Sequence, residues 1–286
     1  MKPFAIVKRL FSSAPLVPVV RMTGIIGAAT PLRQGLALAN VAPMLGKAFS
    51  MADEAVAIQV NSPGGSAVQS RLIFQRIRDL AKEKNIRVYM FAEDVAASGG
   101  YMILCAGDEI YADSSSIIGS IGVIYAGFGF VDLINKIGVE RRVHTAGEKK
   151  MMLDAFQAEN PDDVARLKAI QADIHKEFAE LVRNRRGKKI EPYEDRLFTG
   201  EFWSGRQALE FGLIDGIMDV RTKMRELYGD KVQLRLVSGE RGLLRRRLPG
   251  VLSAYDASAV GTAAMSIADD AISAIEARAI WARFGF

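Results

Sequence analysis

Two near-continuous apolar runs, Ala55-Val56-Ala57-Ile58-Gln59-Val60 and Ile86 to Phe91, each lead towards a glycine pair. The first reaches Asn61-Ser62-Pro63-Gly64-Gly65, the second Ala97-Ser98-Gly99-Gly100-Tyr101. Between them, Ala67 to Lys84 sets Leu72, Ile73, Ile77 and Leu80 on one face with charges opposite, the pattern of an amphipathic helix. Strands that are apolar on both faces are buried on both, which is the habit of parallel sheets. A strand–helix–strand–helix order therefore predicts an α/β fold with helices on either side of the sheet. In open sheets of this kind ligands bind where the carboxyl ends of the strands meet, so both glycine turns point to one edge.

The rest of the chain extends this pattern. Val17 to Ile26, broken at Gly24, reads as a first strand, and Gln34 to Ser50 as a helix with Leu36, Leu38, Val41, Leu45 and Phe49 at helical spacing. After the second glycine pair, Glu109 to Ala112 reads as a strand, Ser114 to Gly122 as a loop, Phe130 to Ile137 as a short helix and Val139 to His144 as a strand. Pro161 to Arg186 is a long helix, acidic in its first turn and arginine-rich in its last, which matches the helix macrodipole. Ser204 to Gly212 holds an N-cap, a two-turn helix and a glycine stop. Val220 to Tyr228 and Lys231 to Leu236 give a last helix and strand. Three parts result: an extension over 1–16, one α/β domain over 17–239, and a basic linker with an amphipathic helical appendage over 240–286, ending in Trp281 and Phe284. Packing on the chain's own domain or on a second copy suits that appendage better than a membrane interface, which calls for more cations.

Composition excludes several classes. Of 286 residues 49% are hydrophobic, enough for a substantial core. A single cysteine, Cys105, rules out an intrachain disulfide and reads as a small buried residue. With only two histidines beside it, soft ligands are too few for zinc, and no metal or cofactor is expected. The net charge of +5 is partly clustered, in Arg183, Arg185, Arg186, Lys188 and Lys189 and again in Arg245 to Arg247. Such runs read as solvated faces, with anionic lipid or an acidic partner as the sharper alternative. No aromatics interleave them, which argues against nucleic acid. No stretch reaches the ~20 apolar residues that span a bilayer, and Leu16 to Val20 stops at Arg21. The expected address is the cytoplasm, with peripheral contact on the inner face of the membrane as its extension.

Ser98 stands out because Ala97, Gly99 and Gly100 leave its hydroxyl uncrowded between a strand and a helix. A nucleophilic serine is presented this way, and so is an ordinary helix N-cap. Backbone N–H groups of Gly99 and of Gly65 or Gly64 could converge on one carbonyl oxygen as an oxyanion hole. No phosphate-binding Gly-x4-Gly-Lys-Ser/Thr occurs. A serine also needs a base. His175 falls within the long helix, and His144, at the end of an expected strand, is the histidine competitor. Lysine is the other route, provided it is neutral. At an ordinary pKa near ~10.4 only about 0.04% is deprotonated at pH 7, and lowering that to about 8 raises it to roughly 10% at a cost of ~3 kcal/mol. Lys150, followed by Met151-Met152-Leu153, has an apolar sequence neighbourhood in which this could occur.

Taken in order, Asn61-Ser62-Pro63-Gly64-Gly65, Ala97-Ser98-Gly99-Gly100-Tyr101, Gly119-Ser120-Ile121-Gly122-Val123, Gly147-Glu148-Lys149-Lys150 and Thr199-Gly200 through Gly212-Leu213-Ile214-Asp215 form a series. It resembles the motifs of the signal peptide peptidase A family of serine peptidases (family S49), over about residues 17 to 225. The resemblance implies a Clp protease/crotonase-like fold of repeated ββα units, assembly into a homo-oligomeric ring, and a Ser-Lys dyad. It makes Ser98 the nucleophile, Lys150 the general base, Ser120 the hydroxyl that orients the lysine, and Gly99 with Gly65 or Gly64 the oxyanion hole. Related Clp proteases use a histidine downstream of their serine, where this chain has Val123. The implied activity is hydrolysis of short apolar peptides, remnant signal peptides in particular. The chain departs from membrane-anchored members in showing no N-terminal transmembrane segment, and it has one copy of the catalytic unit. Two rival readings are a crotonase-like acyl-CoA enzyme, which uses the same oxyanion hole, and a non-catalytic membrane-associated scaffold.

Overall fold

The computed structural model describes residues 14–27, 35–238, 275 and 278–286. Strands β1 (Leu16–Thr23), β2 (Ala55–Ser62), β3 (Arg87–Ala97), β4 (Glu109–Ala112), β5 (Ile117–Gly119), β6 (Phe202–Ser204), β7 (Gly216–Ile217) and β8 (Gln233–Leu236) form one sheet. Its main path is β6-β5-β3-β2-β1-β8, with β4 and β7 branching from β3. Only the β5–β6 pairing is antiparallel. The helices are α1 (Leu38–Met51), α2 (Ala67–Lys84), α3 (Gly99–Leu104), α4 (Val131–Lys136), α5 (Pro161–Arg186), α6 (Glu194–Leu197), α7 (Gly205–Glu210) and α8 (Val220–Tyr228). This is the mixed α/β architecture, with a central multi-stranded sheet, that a Clp protease/crotonase-like fold requires.

Helix α2 shows how local sequence sets the layers. The Ser66 hydroxyl accepts from the Gln69 N–H at its start, and Asn85 closes it in the left-handed conformation. Ile73, Ile77, Leu80 and Ala81 are buried. Leu72, expected on the same face, is 42% exposed; it lies about 100° around the helix from Ile73, off the buried stripe. The main core joins α1, α2 and α3 to one face of β1, β2 and β3 through Leu45, Phe49, Ile58, Ile73, Ile77 and Met90. Each such side chain stabilises by about 1.5–3 kcal/mol relative to exposure. On the other face Val17, Val19, Tyr89, Phe91 and Tyr111 cluster with Met224 of α8.

Strand β3 changes partners along its length. Tyr89–Phe91 pair with β4, and Val95–Ala97 pair with β5. The β2–β3 register shifts between Val60 and Ser62. At the change Asn61 donates to the Asp94 carboxylate (2.7 Å) and accepts from the Val95 N–H (3.2 Å). The last turn of β3 is thereby pinned to the end of β2.

Four sequence expectations need correction. Ser114 to Gly122 is not only a loop, because Ile117–Gly119 form β5; three residues are too few to show a strand period. Val139 to His144 forms no strand and is exposed throughout. The basic run is not simply a solvated face: Arg186 is 6% exposed, and Arg185 reaches inward to two backbone carbonyls. Its sequence signature is that of a surface, but α5 ends against α3 and turns those side chains in. Finally, the apolar run Met102-Ile103-Leu104-Cys105-Ala106 reads as the start of a helix, whereas α3 already begins at Gly99. Residues 1–13, Arg245 to Arg247, and most of Ala257 to Phe286 lie outside the described residues. No helix among the described residues is long and apolar enough to cross a membrane.

From Gly122 to Glu177 no residue is buried. This arm holds α4 and the first part of α5, and the Phe130 N–H donates across it to the Ala155 carbonyl (2.6 Å). Phe128, Phe130 and Phe156 form a small ring cluster, with Arg141 over Phe156 and paired to Asp154.

Candidate active site

Ser98 directly follows β3 and is the N-cap residue of α3. Its φ of 52° and ψ of −120° put a non-glycine residue in sparsely populated backbone space. Strain of this kind costs about 1–3 kcal/mol and persists only where the surroundings enforce it. Its own N–H donates to the Gly119 carbonyl (2.7 Å), and its carbonyl accepts from the Met102 N–H (3.0 Å). The hydroxyl makes no capping bond, so the position is an N-cap while, among the described residues, the oxygen stays uncommitted.

The glycine turn after β2 lies against this serine. Gly64, at φ 106°, leaves no room for a side chain: a Cβ there would sit 2.8 Å from the Ser98 Cβ and 3.1 Å from the Gly99 nitrogen. The Gly64 N–H donates to the Ser62 hydroxyl (3.2 Å). Among the described residues the Gly65 and Gly99 amides donate to no protein acceptor. Of the two candidates beside Gly99, Gly65 is thus the one with an open donor.

Ser120 stands beside Ser98. Ala97 and Gly119 are paired in register on β3 and β5, and the two serines are the next residues along. Ser120 also has a left-handed φ, 53°, is 7% exposed, and donates its N–H to the Glu201 carbonyl (2.6 Å). The β5–β6 pairing, absent from the sequence reading, is what holds it there.

The far end of α3 is clamped. Arg185 donates to the carbonyls of Cys105 and Gly107, both at 2.7 Å. Tyr101 donates its hydroxyl to the Leu213 carbonyl (2.8 Å). Arg186 pairs with both carboxylate oxygens of Asp215 and donates to the Gly212 carbonyl (2.8 Å). Burial opposes charge on Asp215, yet the Arg186 and Lys189 hydrogen bonds bring its pKa down to about 2. Burial pushes the Cys105 thiol up to about 12, which makes it an inert packing residue.

The structure gathers Ser98, Ser120, Gly64, Gly65 and Gly99 at one edge and places Lys150 elsewhere. Lys150 lies on an exposed turn of the arm, and within the chain no hydrogen bond joins it to Ser98. His144 is exposed on the same arm, and His175 lies half-buried on α5. The described residues include no cluster able to hold a metal. The supports missed in the sequence are Ser62, Asn61 and Asp94. The two from the Asn61-Ser62-Pro63 motif were in view, but their roles depend on the β2–β3 register.

Comparison with known proteins gives the family. The family model described as Peptidase family S49 matches residues 80–233, more than half of the chain. The chain belongs to peptidase family S49. Similar proteins include "Protease 4" of Haemophilus influenzae, 37% identical over 57% of this chain and 26% of that protein. "Serine protease SPPA, chloroplastic" of Arabidopsis thaliana is 31% identical over 57% of this chain and 24% of that protein. A Brucella abortus protein named "Na(+)/H(+) antiporter NhaA" is 54% identical over 94% of this chain. The S49 chain spans only 37% of that protein's length.

Proposed function

We propose that this S49 chain is a serine endopeptidase working through a Ser-Lys dyad. Ser98 attacks the scissile carbonyl while Lys150 takes its proton. The Ser120 hydroxyl orients the lysine amine, and the Gly65 and Gly99 amides hold the oxyanion. Lys150 then returns the proton to the leaving amine, and water clears the acyl-enzyme. The observation that carries this reading is the enforced left-handed backbone of Ser98, with its hydroxyl uncommitted beside two free amides. An acyl-CoA enzyme of the crotonase kind needs the amides alone and gives no reason for the strained serine.

The arm supplies the remaining parts of the proposal. Its exposed Ile124, Phe128, Leu133 and Ile137 form an apolar surface of the kind that a partner covers. Assembly into a homo-oligomeric ring would cover it and bring Lys150 to a Ser98, in the same chain or in a neighbour. The substrates proposed are short apolar peptides such as remnant signal peptides, reached from a peripheral position on the membrane. The transporter name of the Brucella relative does not carry over, since this chain accounts for 37% of that protein. The test is hydrolysis of a fluorogenic apolar peptide by wild type, Ser98→Ala and Lys150→Ala proteins. Loss of turnover in both variants with unchanged thermal midpoints is expected, and wild-type rates in either would refute the dyad.

A further inference from the structure

The segment Arg278–Phe286 returns to the sheet next to Ser98. Phe284 is 7% exposed and shares an apolar cluster with Val95 and Ala97, against which Ile117 and Trp281 also pack. Its ring meets that of Phe202 edge-on, centroids 5.1 Å apart. The Phe284 N–H donates to the Trp281 carbonyl (2.9 Å), closing a turn that holds the two aromatic residues together.

The place of this contact in the sheet gives it meaning. Ala97, Gly119 and Phe202 are paired across β3, β5 and β6 as the last row before the serines. Phe284 thus packs with Ala97, the residue directly before Ser98. An extended peptide rises about 3.3 Å per residue, so one with a carbonyl at Ser98 sets side chains over this row. Among the described residues no hydrogen bond joins 278–286 to the rest of the chain. Among the described residues side-chain burial alone holds the segment, the kind of contact that opens locally.

We propose that the β3–β5–β6 face beside Ser98 is a binding surface for peptide segments bearing aromatic side chains. Trp281 and Phe284 are its resident occupant, and a substrate must displace them. This rests on the reading of Ser98 as nucleophile. A resident segment lowers apparent substrate affinity by the fraction of time the surface is open, so one docked nine-tenths of the time costs about tenfold.

The test is a Trp281→Ala/Phe284→Ala double variant of the full chain. Its KM for a fluorogenic apolar peptide should fall about tenfold with kcat little changed. A fluorescein-labelled peptide of the sequence Arg278–Phe286 should bind the variant more tightly than wild type and inhibit it competitively. An unchanged KM with no peptide binding would overturn the proposal. So would a joint loss of activity and thermal stability, which would make the segment a plain part of the core. Peptide binding read by anisotropy in a Ser98→Ala background needs no turnover, so failure of the surface and failure of the serine assignment remain distinct.

Discussion

Around Ser98 the chain is packed without slack: Ala96, Ala97, Gly99, Gly100 and Tyr101 are all buried, and Gly64 has no space for a methyl group. Around Lys150 the reverse holds, since nothing from Gly122 to Glu177 is buried. The geometry of Ser98 is set by sheet register, by the Ser62 and Asn61 hydrogen bonds, and by an arginine clamp behind α3. The lysine's backbone is held by the Gly147 carbonyl within its own turn, and among the described residues no hydrogen bond fixes its amine. The proposed nucleophile and oxyanion donors are thus fixed by folding. The proposed base depends on docking of an arm whose exposed apolar residues supply the reason to dock.

The difference can be pressed from both sides. Ser98→Ala should lower kcat by about 10,000-fold or more while leaving the fold intact, measured by steady-state hydrolysis beside a thermal melt. Gly64→Ala is expected to cut kcat by about 100-fold or more, comparable to losing an oxyanion donor, because the new methyl would push on Ser98 and the Gly99 amide. It should also destabilise by about 1–3 kcal/mol, since φ 106° strains any side chain. Arg186→Leu removes the two-pronged partner of half-buried Asp215, leaves Lys189 as its remaining ion-pair partner, and should cost about 1.5–3 kcal/mol in urea unfolding. Arg142→Ala, on the arm, breaks an exposed pair with Glu140 and should leave the urea midpoint unchanged. Equal effects of the last two would erase the distinction between core and arm.

A modest effect of pH is also expected. The Asp215 carboxyl, at about 2 in the folded chain against an ordinary 3.8, contributes stability that is complete above pH ~4 and is lost as pH falls through about 2. Its size, allowing for partial solvent screening, is about 1–2 kcal/mol. Urea midpoints at pH 6 and pH 2.5 should show this loss in wild type and less of it in Arg186→Leu.

What the sequence makes legible follows from length and period. The long elements, Pro161–Arg186 and Ala67–Lys84, were readable because their patterns run for many turns. The two glycine turns were readable because they follow buried strands, and the resemblance to S49 motifs gave the ordered candidates a chemistry. The three-residue β5 and β6 were not readable, since so short a strand shows no alternation. With them went the reason Ser120 stands beside Ser98. The inward turn of Arg185 and Arg186 was hidden for a different reason, because charge describes a side chain and not the contact that tertiary packing makes for it. The choice between Gly64 and Gly65 needed the Ser62 hydrogen bond.

The neighbouring lysines of the arm offer the most direct test of the central claim. Lys149 and Lys150 share one exposed turn and the same charge, and only Lys150 is assigned the proton. The measurement is kcat/KM of Lys150→Ala against Lys149→Ala on one apolar peptide. A fall of about 1,000-fold or more for Lys150→Ala, with Lys149→Ala within about twofold of wild type, is the predicted result. A Lys150→Ala protein that turns over like wild type would contradict it.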